Sequence, residues 1–264
     1  MGAGRLAVKR VSLWILLVWV ASLLPVAAAQ ALPAWLPGST VVGSAGLETN
    51  PISVSAMMLE SNSASVQVNP ETGAVTFLNG SMTMMDQGTP VWEWNWDSIT
   101  LDQDPSVSFV GNFTNLNASL ALDFIFSIVT PIAPTLASSL YGGSTSVTIA
   151  DTGVNGATLA NTVGQPGYAG TIDGANTLLL LNPFSLPAPP GGTNSLTQWN
   201  GLYATIPGPA VNSTIGITHR FNLTSLDNAT FNSTFNVLIP EPGTFALLAS
   251  GLGALALFGR RLRI

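Results

Sequence analysis

The stretch PVWEWNWDSITL, residues 90–101, carries the strongest structural signal in the chain. Indoles alternate with polar side chains along it, in the order Trp92, Glu93, Trp94, Asn95, Trp96 and Asp97. Successive side chains of a β-strand point to opposite faces of the sheet, so this period of two predicts a strand with its three indoles on one face. The stretch therefore predicts a sheet with one aromatic face and one polar face.

The aromatic face has two interpretations. Aromatic side chains dominate protein cores, so Trp92, Trp94 and Trp96 are first expected to be buried inside a sandwich. Alternatively, the three indoles form a glycan platform, because sugar rings stack on indoles while neighbouring carboxylates accept hydrogen bonds from sugar hydroxyls. We favour the core and retain the platform as the alternative.

Turn signals flank this stretch at short intervals. Residues 69–73 (NPETG) and the pair Asn79-Gly80 separate runs of alternating apolar residues. Asn-Gly is a preferred hairpin turn because both residues tolerate a positive φ. The proline-rich and glycine-rich residues 182–194 are instead expected to form one long loop.

Short β-rich runs continue through residues 32–239, where no segment shows the apolar spacing of a helix. Candidate strands lie at residues 52–59, 64–68, 74–78, 81–85, 90–96, 98–101, 107–110, 118–129, 144–150, 177–181, 201–206, 214–223 and 229–238. So many short strands predict an all-β domain, an antiparallel β-sandwich of jelly-roll or immunoglobulin-like kind.

The same region is strongly acidic. Residues 32–239 contain twelve carboxylates and a single cation, Arg220, which gives a formal charge of −11, whereas the whole chain has −6. Phosphate recognition needs a basic face, so nucleic acid is not an expected partner. The chain has no cysteine, which excludes disulfides, thiolate metal sites and cysteine nucleophiles.

Two groups of oxygen-bearing side chains are candidate calcium sites. Calcium takes six to eight oxygen ligands, and neither group matches an EF-hand loop or an RTX nonapeptide. We therefore expect solvated turns and no cofactor, with calcium as the alternative. The groups are Asp97, Asp102 and Asp104, and Asp151, Asn155 and Asp173.

Catalytic signals are weak. The one histidine, His219, lies beside Arg220 in a candidate strand, and no Gly-x-Ser-x-Gly elbow is present. A glycosidase could use two carboxylates such as Glu93 and Asp123 at the separation its stereochemistry requires, although nothing in the sequence selects that pair. P-loop, dinucleotide and zinc motifs are absent. We therefore expect no enzyme activity.

The amino-terminal residues 1–31 have the three parts of a secretory signal peptide. Arg5, Lys9 and Arg10 precede an apolar run at residues 11–24, and small residues with an Ala-x-Ala pattern follow. We expect export with cleavage of this segment. An uncleaved amino-terminal anchor is the alternative.

The carboxyl end, residues 239–264, reads IPEPGTFALLASGLGALALFGRRLRI. Its prolines end the preceding strand, because proline cannot donate to a strand ladder. Residues 243–259 carry no charge and lie near the lower limit of the ~17–25 residues that a transmembrane helix needs. The cations that follow hold this end on the cytoplasmic side and stop transfer. They are Arg260, Arg261 and Arg263.

This tail resembles the PEP-CTERM sorting signal of Gram-negative bacteria. The resemblance rests on the triplet Pro240, Glu241 and Pro242, on the single hydrophobic helix and on the arginine cluster. It implies that exosortase, an integral-membrane transpeptidase-like enzyme, recognises the triplet and processes the protein for surface delivery, often in bacteria that make exopolysaccharide. It implies no activity for the exported region.

Seven Asn-x-Ser/Thr sequons with a hydrophobic tail offer a rival, a eukaryotic GPI-anchored glycoprotein. GPI signals end in their hydrophobic stretch, whereas this chain adds arginines and lacks a small-residue ω site with a polar spacer. We interpret the sequons as a product of composition, with glycosylation as the second possibility. They begin at Asn79, Asn112, Asn117, Asn212, Asn222, Asn228 and Asn232.

The sequence thus predicts three segments: a signal peptide at 1–31, an all-β exported domain at 32–239, and the sorting signal at 240–264. We expect an inner-membrane-anchored precursor, then a cell-surface or extracellular-matrix protein. Its expected role is a structural or matrix-interaction component, with exosortase, the membrane and a polysaccharide as candidate partners. The alternatives are a carbohydrate-binding module and, third, an unrecognised glycan hydrolase.

Overall fold

The computed structural model describes residues 40–45, 52–102, 105–132, 135–201 and 203–238, with side chains from Leu59 onward. In these residues no helix is long and apolar enough to cross a membrane. The predicted signal peptide and the predicted sorting tail with its membrane helix lie outside the described residues.

The described part of the chain contains sixteen strands and one short helix. They are β1 (Thr40–Ala45), β2 (Ile52–Ser55), α1 (Ala56–Asn62), β3 (Ser63–Val68), β4 (Val75–Asp86), β5 (Thr89–Asp102), β6 (Ser106–Asn115), β7 (Leu122–Pro131), β8 (Ser139–Asp151), β9 (Ala157–Asn161), β10 (Tyr168–Ile172), β11 (Ala175–Leu180), β12 (Ser185–Ala188), β13 (Thr193–Asn200), β14 (Ile206–Gly208), β15 (Thr214–Leu223) and β16 (Asp227–Leu238).

These strands form two sheets in which the named strands pair antiparallel. Sheet A has the order β11-β10-β15-β7-β1-β2, and β9, which carries β12, pairs with β15 beyond the end of β10. Sheet B has the order β13-β8-β16-β6-β5-β4-β3, with β14 next to β13 along β8.

The inner faces of the two sheets pack against each other through aromatic rings. Trp94 of sheet B lies 4.7 Å from Phe126 of sheet A between ring centroids, and Phe113 of sheet B lies 5.7 Å from Phe124 of sheet A. The predicted antiparallel β-sandwich is therefore confirmed. The described strands outnumber the roughly eight of a jelly roll and the roughly seven to nine of an immunoglobulin domain, so neither topology is assigned.

The pair Asn79-Gly80 corrects one turn prediction, because it lies inside β4. The β4–β5 hairpin turns at Gln87 and Gly88 instead, which have φ values of 47° and 83°. Asn79 has a φ of 50° and interrupts the strand opposite Asp97 of β5. A residue that tolerates a positive φ can lie inside an irregular strand as well as in a turn, and sequence alone does not distinguish the two.

The irregularity at Asn79 and Asp97 changes which side chains face the core. On β5, Trp92, Trp94 and Trp96 point inward, and a strict period of two would next place Ser98 in the core. The pairing of β5 with β6 shifts register between Trp96 and Ser98, so that Ile99 and Leu101 are buried instead. The extra residue thus keeps apolar residues inward along the whole strand.

Gly80 provides the space for the Trp96 indole. A Cβ atom at Gly80 would lie 2.0 Å from the indole ring. The indole Nε1 donates a hydrogen bond to Ser63 Oγ at 3.2 Å, and the Ser63 hydroxyl donates to the Leu59 carbonyl at 2.7 Å. Trp96 therefore links the end of α1 to the central strands of sheet B.

Several element predictions were wrong in detail. The predicted strand at 52–59 is split between β2 and α1, because the sequence AMMLESN consists largely of good helix formers but is too short to show helical spacing. The predicted strand at 201–206 is mainly a turn before β14, and the predicted loop at 182–194 contains β12. The edge strand β13 was missed since its exposed, mostly polar residues lack apolar alternation.

We predict that Gly80→Ala destabilises the domain by about 1–3 kcal/mol, because the added methyl group must displace the packed Trp96 indole. The unfolding midpoint in guanidinium chloride measures the effect. Ser81→Ala is the matched control, since Ser81 is exposed, and its midpoint should stay close to that of the wild type. Equal midpoints for Gly80→Ala and the wild type would contradict the packing described for Trp96.

Candidate functional site

The proposed glycan platform lies inside the sandwich. Trp92, Trp94 and Trp96 are 4%, 2% and 1% exposed. The Trp94 ring stacks on Phe113 with an interplanar angle of 5° and a centroid distance of 5.9 Å. The platform interpretation is therefore wrong for these residues, and the core interpretation describes them.

The carboxylates Glu93 and Asp123 lie on opposite outer faces of the sandwich. Glu93 points away from the core of sheet B because Trp92 and Trp94 on either side point inward. Asp123 is exposed on the outside of sheet A, next to the buried Leu122 and Phe124. A glycosidase needs its two carboxyl groups about 5–9.5 Å apart across one sugar ring. This pair, separated by two sheets, does not form such a site.

Asp173, one of the candidate calcium ligands, holds two loops together through hydrogen bonds. Its Oδ1 accepts from the backbone N–H of Ser213 at 2.7 Å and of Thr214 at 3.0 Å, and its Oδ2 accepts from the backbone N–H of Asn212 at 2.8 Å. Burial alone would raise the pKa of Asp173, but these N–H groups and the Ser213 hydroxyl hold that pKa well below its usual range. Both carboxylate oxygens of Asp173 therefore serve as hydrogen-bond acceptors for residues 212–214 at the start of β15.

Asp151, the other carboxylate of that group, is paired with a residue that the sequence did not single out. Asp151 lies directly opposite Asp227 in the pairing of β8 with β16, and both side chains are buried. Asp151 Oδ2 accepts from the backbone N–H of Gly156 at 2.8 Å and of Gly191 at 2.7 Å. Thr224 Oγ1 donates to Asp227 Oδ2 at 2.5 Å.

The two carboxyl groups differ in their ionisation. Burial raises the pKa of Asp151, but hydrogen bonds from the backbone of Gly156, Gly191 and Asn155 outweigh it and lower that pKa. Burial raises the pKa of Asp227, and the neighbouring Asp151 raises it further. Asp227 therefore takes up a proton first, as expected when two acids share a buried position.

The calcium hypothesis gains no support at the predicted positions. Asn155 contributes its backbone to Asp151, Asp97 is exposed at the bulge of β5, and Asp104 lies outside the described residues. Within the described ranges, no group of three or more His, Asp or Glu side chains is placed to hold a metal ion. The sequence does not identify Asp227 as part of this group, because only the strand register places it beside Asp151.

The single histidine, His219, is buried among aromatic rings. Its ring centroid lies 4.7 Å from that of Phe231 and 5.4 Å from that of Tyr168, and neither ring nitrogen has a hydrogen-bond partner in the described part of the chain. Burial lowers the pKa of His219 to about 3, against a small opposing effect of the Gly167 backbone. His219 is therefore a neutral core residue, remote from any substrate in water.

We predict that His219 makes stability depend on pH between 7 and 5. Its pKa is about 3 when folded and 6.5 when unfolded, so the unfolded chain binds the proton first. The His219 contribution to the free energy of unfolding should be at its maximum above pH 6.5. Below pH 6.5 the free energy of unfolding should fall by about 1.4 kcal/mol per pH unit. Denaturant titrations at pH 7, 6 and 5 measure the slope. The free energy of unfolding of His219→Leu should change little between pH 7 and 5. If this variant kept the pH slope of the wild type, the assignment to His219 would be contradicted.

Asp227 and Asp151 should respond in opposite ways to replacement by asparagine. Asp227→Asn mimics the protonated acid that burial favours, so we predict unchanged or increased thermal stability at pH 7. Asp151→Asn weakens the acceptor of two backbone N–H groups and should lower the thermal unfolding midpoint. Thermal unfolding of both variants tests this. If Asp227→Asn lost as much thermal stability as Asp151→Asn, the assigned ionisation states would be ruled out.

The exposed aromatic residues lie elsewhere. Trp199, at the end of edge strand β13, is 61% exposed, and Tyr203, in the turn that follows, is 83% exposed. Sequence reasoning missed both because neither belongs to an aromatic repeat. The exposure of Trp199 depends on the position of β13 at the edge of sheet B, which the sequence alone does not show.

The comparisons with known proteins identify the tail. Residues 238–263 match the family described as the PEP-CTERM protein-sorting motif. The match includes the triplet at residues 240–242 and the arginine cluster, and it confirms the resemblance. No curated protein matches the chain.

The molecule is thus an antiparallel β-sandwich protein that carries an export-sorting signal. That signal, at residues 238–263, is a PEP-CTERM protein-sorting motif. The motif implies an exported precursor that passes through the membrane, with exosortase as its processing partner.

Proposed function

We propose that this protein is a non-enzymatic structural or interaction component of the cell surface or of an extracellular polysaccharide matrix. The observation that carries the proposal is the sorting motif at residues 238–263. In this proposal the signal peptide starts export, residues 243–259 anchor the precursor in the inner membrane, and exosortase acts at Pro240, Glu241 and Pro242 before delivery.

The charge distribution supports an exported, soluble domain. Residues 32–239 have a formal charge of −11, with Arg220 as the only cation. A net charge far from zero keeps a protein soluble outside the cell and repels polyanions. The remaining cations lie at the two ends of the chain, where they fit a role in membrane topology.

The positions of the candidate catalytic residues support a non-enzymatic role. His219 is buried and neutral, and Glu93 and Asp123 are separated by the thickness of the sandwich. Asp173 and Asp151 are engaged in holding loops. The exposed carboxylates Glu93 and Asp123 are thus not paired with each other or with His219, which weakens the glycan-hydrolase alternative.

Carbohydrate binding is the second candidate function. The observation that favours it is Trp199, a large aromatic side chain exposed on the outside of sheet B. Tryptophan is enriched at binding surfaces because its ring offers a broad apolar face together with one hydrogen-bond donor.

The sorting proposal is tested by replacing the triplet at residues 240–242 with three alanines. We expect the variant to accumulate as unprocessed precursor in the membrane fraction, and the wild type to reach the surface or the medium. The matched control is Pro70→Ala with Glu71→Ala, which removes the Pro-Glu pair of an exposed turn and should leave delivery unchanged. Normal delivery of the triple variant would contradict the proposal.

A further inference from the structure

The outer face of sheet B carries a row of side chains in register across all seven strands of the main path. Cross-strand partners lie on the same face of a sheet, so the pairings define the row. We call it the hydroxyl row; from β3 to β13 it consists of Gln67, Thr76, Thr100, Ser108, Thr234, Ser144 and Trp199. At about 4.8 Å per strand it spans roughly 29 Å.

The hydroxyl groups of this row are ordered by contacts with each other. Thr76 Oγ1 and Thr100 Oγ1 are 3.0 Å apart, and Ser144 Oγ and Thr234 Oγ1 are also 3.0 Å apart. A hydroxyl has one donor and two acceptor positions, so each of these side chains keeps hydrogen-bonding capacity after making one such bond. The row therefore presents pre-positioned donors and acceptors to the outside.

Three further rows on the same face have similar chemistry. They consist of Ser65, Leu78, Ser98, Val110, Asn232, Ser146 and Thr197; of Ser81, Asn95, Asn112, Thr230, Thr148 and Ser195; and of Thr83, Glu93, Thr114, Asn228, Ala150 and Thr193. Within these four rows Glu93 is the only charged side chain. Leu78, Val110 and Ala150 are apolar, and most of the other side chains carry hydroxyl or amide groups. We call this broad, almost uncharged surface the polar face.

The two ends of the hydroxyl row differ from its middle. At the β13 end, Trp199 is 61% exposed. At the β3 end, Gln67, Thr76 and Thr100 line an open cleft of about 720 Å³, together with Asp102 and with the turn at residues 69–72, which contains Glu71. The row thus connects an exposed aromatic ring to a polar cleft.

We propose that the polar face binds an uncharged polysaccharide that lies along the hydroxyl row, with one sugar ring stacked on Trp199 and another in the cleft beside Gln67. The proposal rests on the proposed matrix function and names the ligand class and the surface. Hydroxyl and amide groups of the face exchange hydrogen bonds with sugar hydroxyls, and no ionic partner is needed.

The chemistry of the face disfavours other ligands. A polyanion would be repelled by a domain with a formal charge of −11 that offers no cation in these rows. The core of a protein interface is enriched in aromatic side chains, Met and Arg, whereas this face has one aromatic residue at its edge. The uncharged hydroxyl and amide groups and the single exposed ring of this face match a neutral glycan chain.

The test is affinity electrophoresis of the full-length protein in detergent, in native gels that contain dextran, hydroxyethylcellulose, galactomannan or, separately, alginate. We expect retardation by at least one neutral polymer and none by alginate. Trp199→Ala should raise the apparent dissociation constant at least tenfold. Val163→Ala is the matched control, since Val163 is 96% exposed in the segment between β9 and β10 of the other sheet, and it should bind like the wild type.

A second variant tests the middle of the row. Ser108→Arg places a long charged side chain on the outward surface of β6 and should also abolish retardation, whereas Val163→Arg adds the same charge elsewhere and should not. Circular dichroism confirms that each variant is folded. If Ser108→Arg does not fold, Trp199→Ala alone decides.

Three results would overturn this inference: no retardation of the wild type by any neutral polymer, equal binding by Trp199→Ala, or retardation by alginate as strong as that by a neutral polymer. The proposed function is judged separately by delivery. Wild-type protein that reaches the surface but is not retarded overturns only the inference, and protein that is retarded but not delivered overturns only the proposed function.

Discussion

The structure depends on the exclusion of water between two aromatic sheet faces. Phe113 shows how tightly the faces are joined, because its ring contacts Trp94 of its own sheet and, at centroid distances of 5.7 Å and 5.3 Å, Phe124 and Phe221 of the other. Aromatic pairs of this kind add to the large apolar area that each ring buries. Since the chain has no cysteine, this core replaces disulfides as the source of stability.

The demand for apolar residues inward explains the irregular features. The bulge of β5 at Asp97 restores apolar side chains to the core where a strict alternation would bury Ser98. The Trp96 ring requires a glycine at position 80. The Phe235 ring likewise requires a glycine at position 170, because a Cβ atom added to Gly170 would lie 2.4 Å from that ring. The polar groups that remain inside, such as Asp151, stay there because they satisfy loop N–H groups at the edge of the core.

The same alternation shapes the outside. Along an exposed strand rich in Asn, Ser and Thr, residues two apart share one face, which places an asparagine and a hydroxyl residue at the spacing of a sequon. Asn112 with Thr114, and Asn228 with Thr230, arise in this way on sheet B. These two sequons follow from strand periodicity and composition, and both lie on the polar face of sheet B.

The sequence alone determined the sorting signal, the all-β class and the inward direction of Trp92, Trp94 and Trp96, because each is encoded in contiguous residues or in a local period of two. Only the tertiary structure decided that Asn79-Gly80 lies inside a strand, that Asp227 meets Asp151, that Glu93 and Asp123 lie on opposite faces, and that Trp199 ends a row of hydroxyl groups. These features depend on strand order and register, which join residues distant in the chain. Register is selected by burial of the whole inner face, and no short stretch of sequence contains that information.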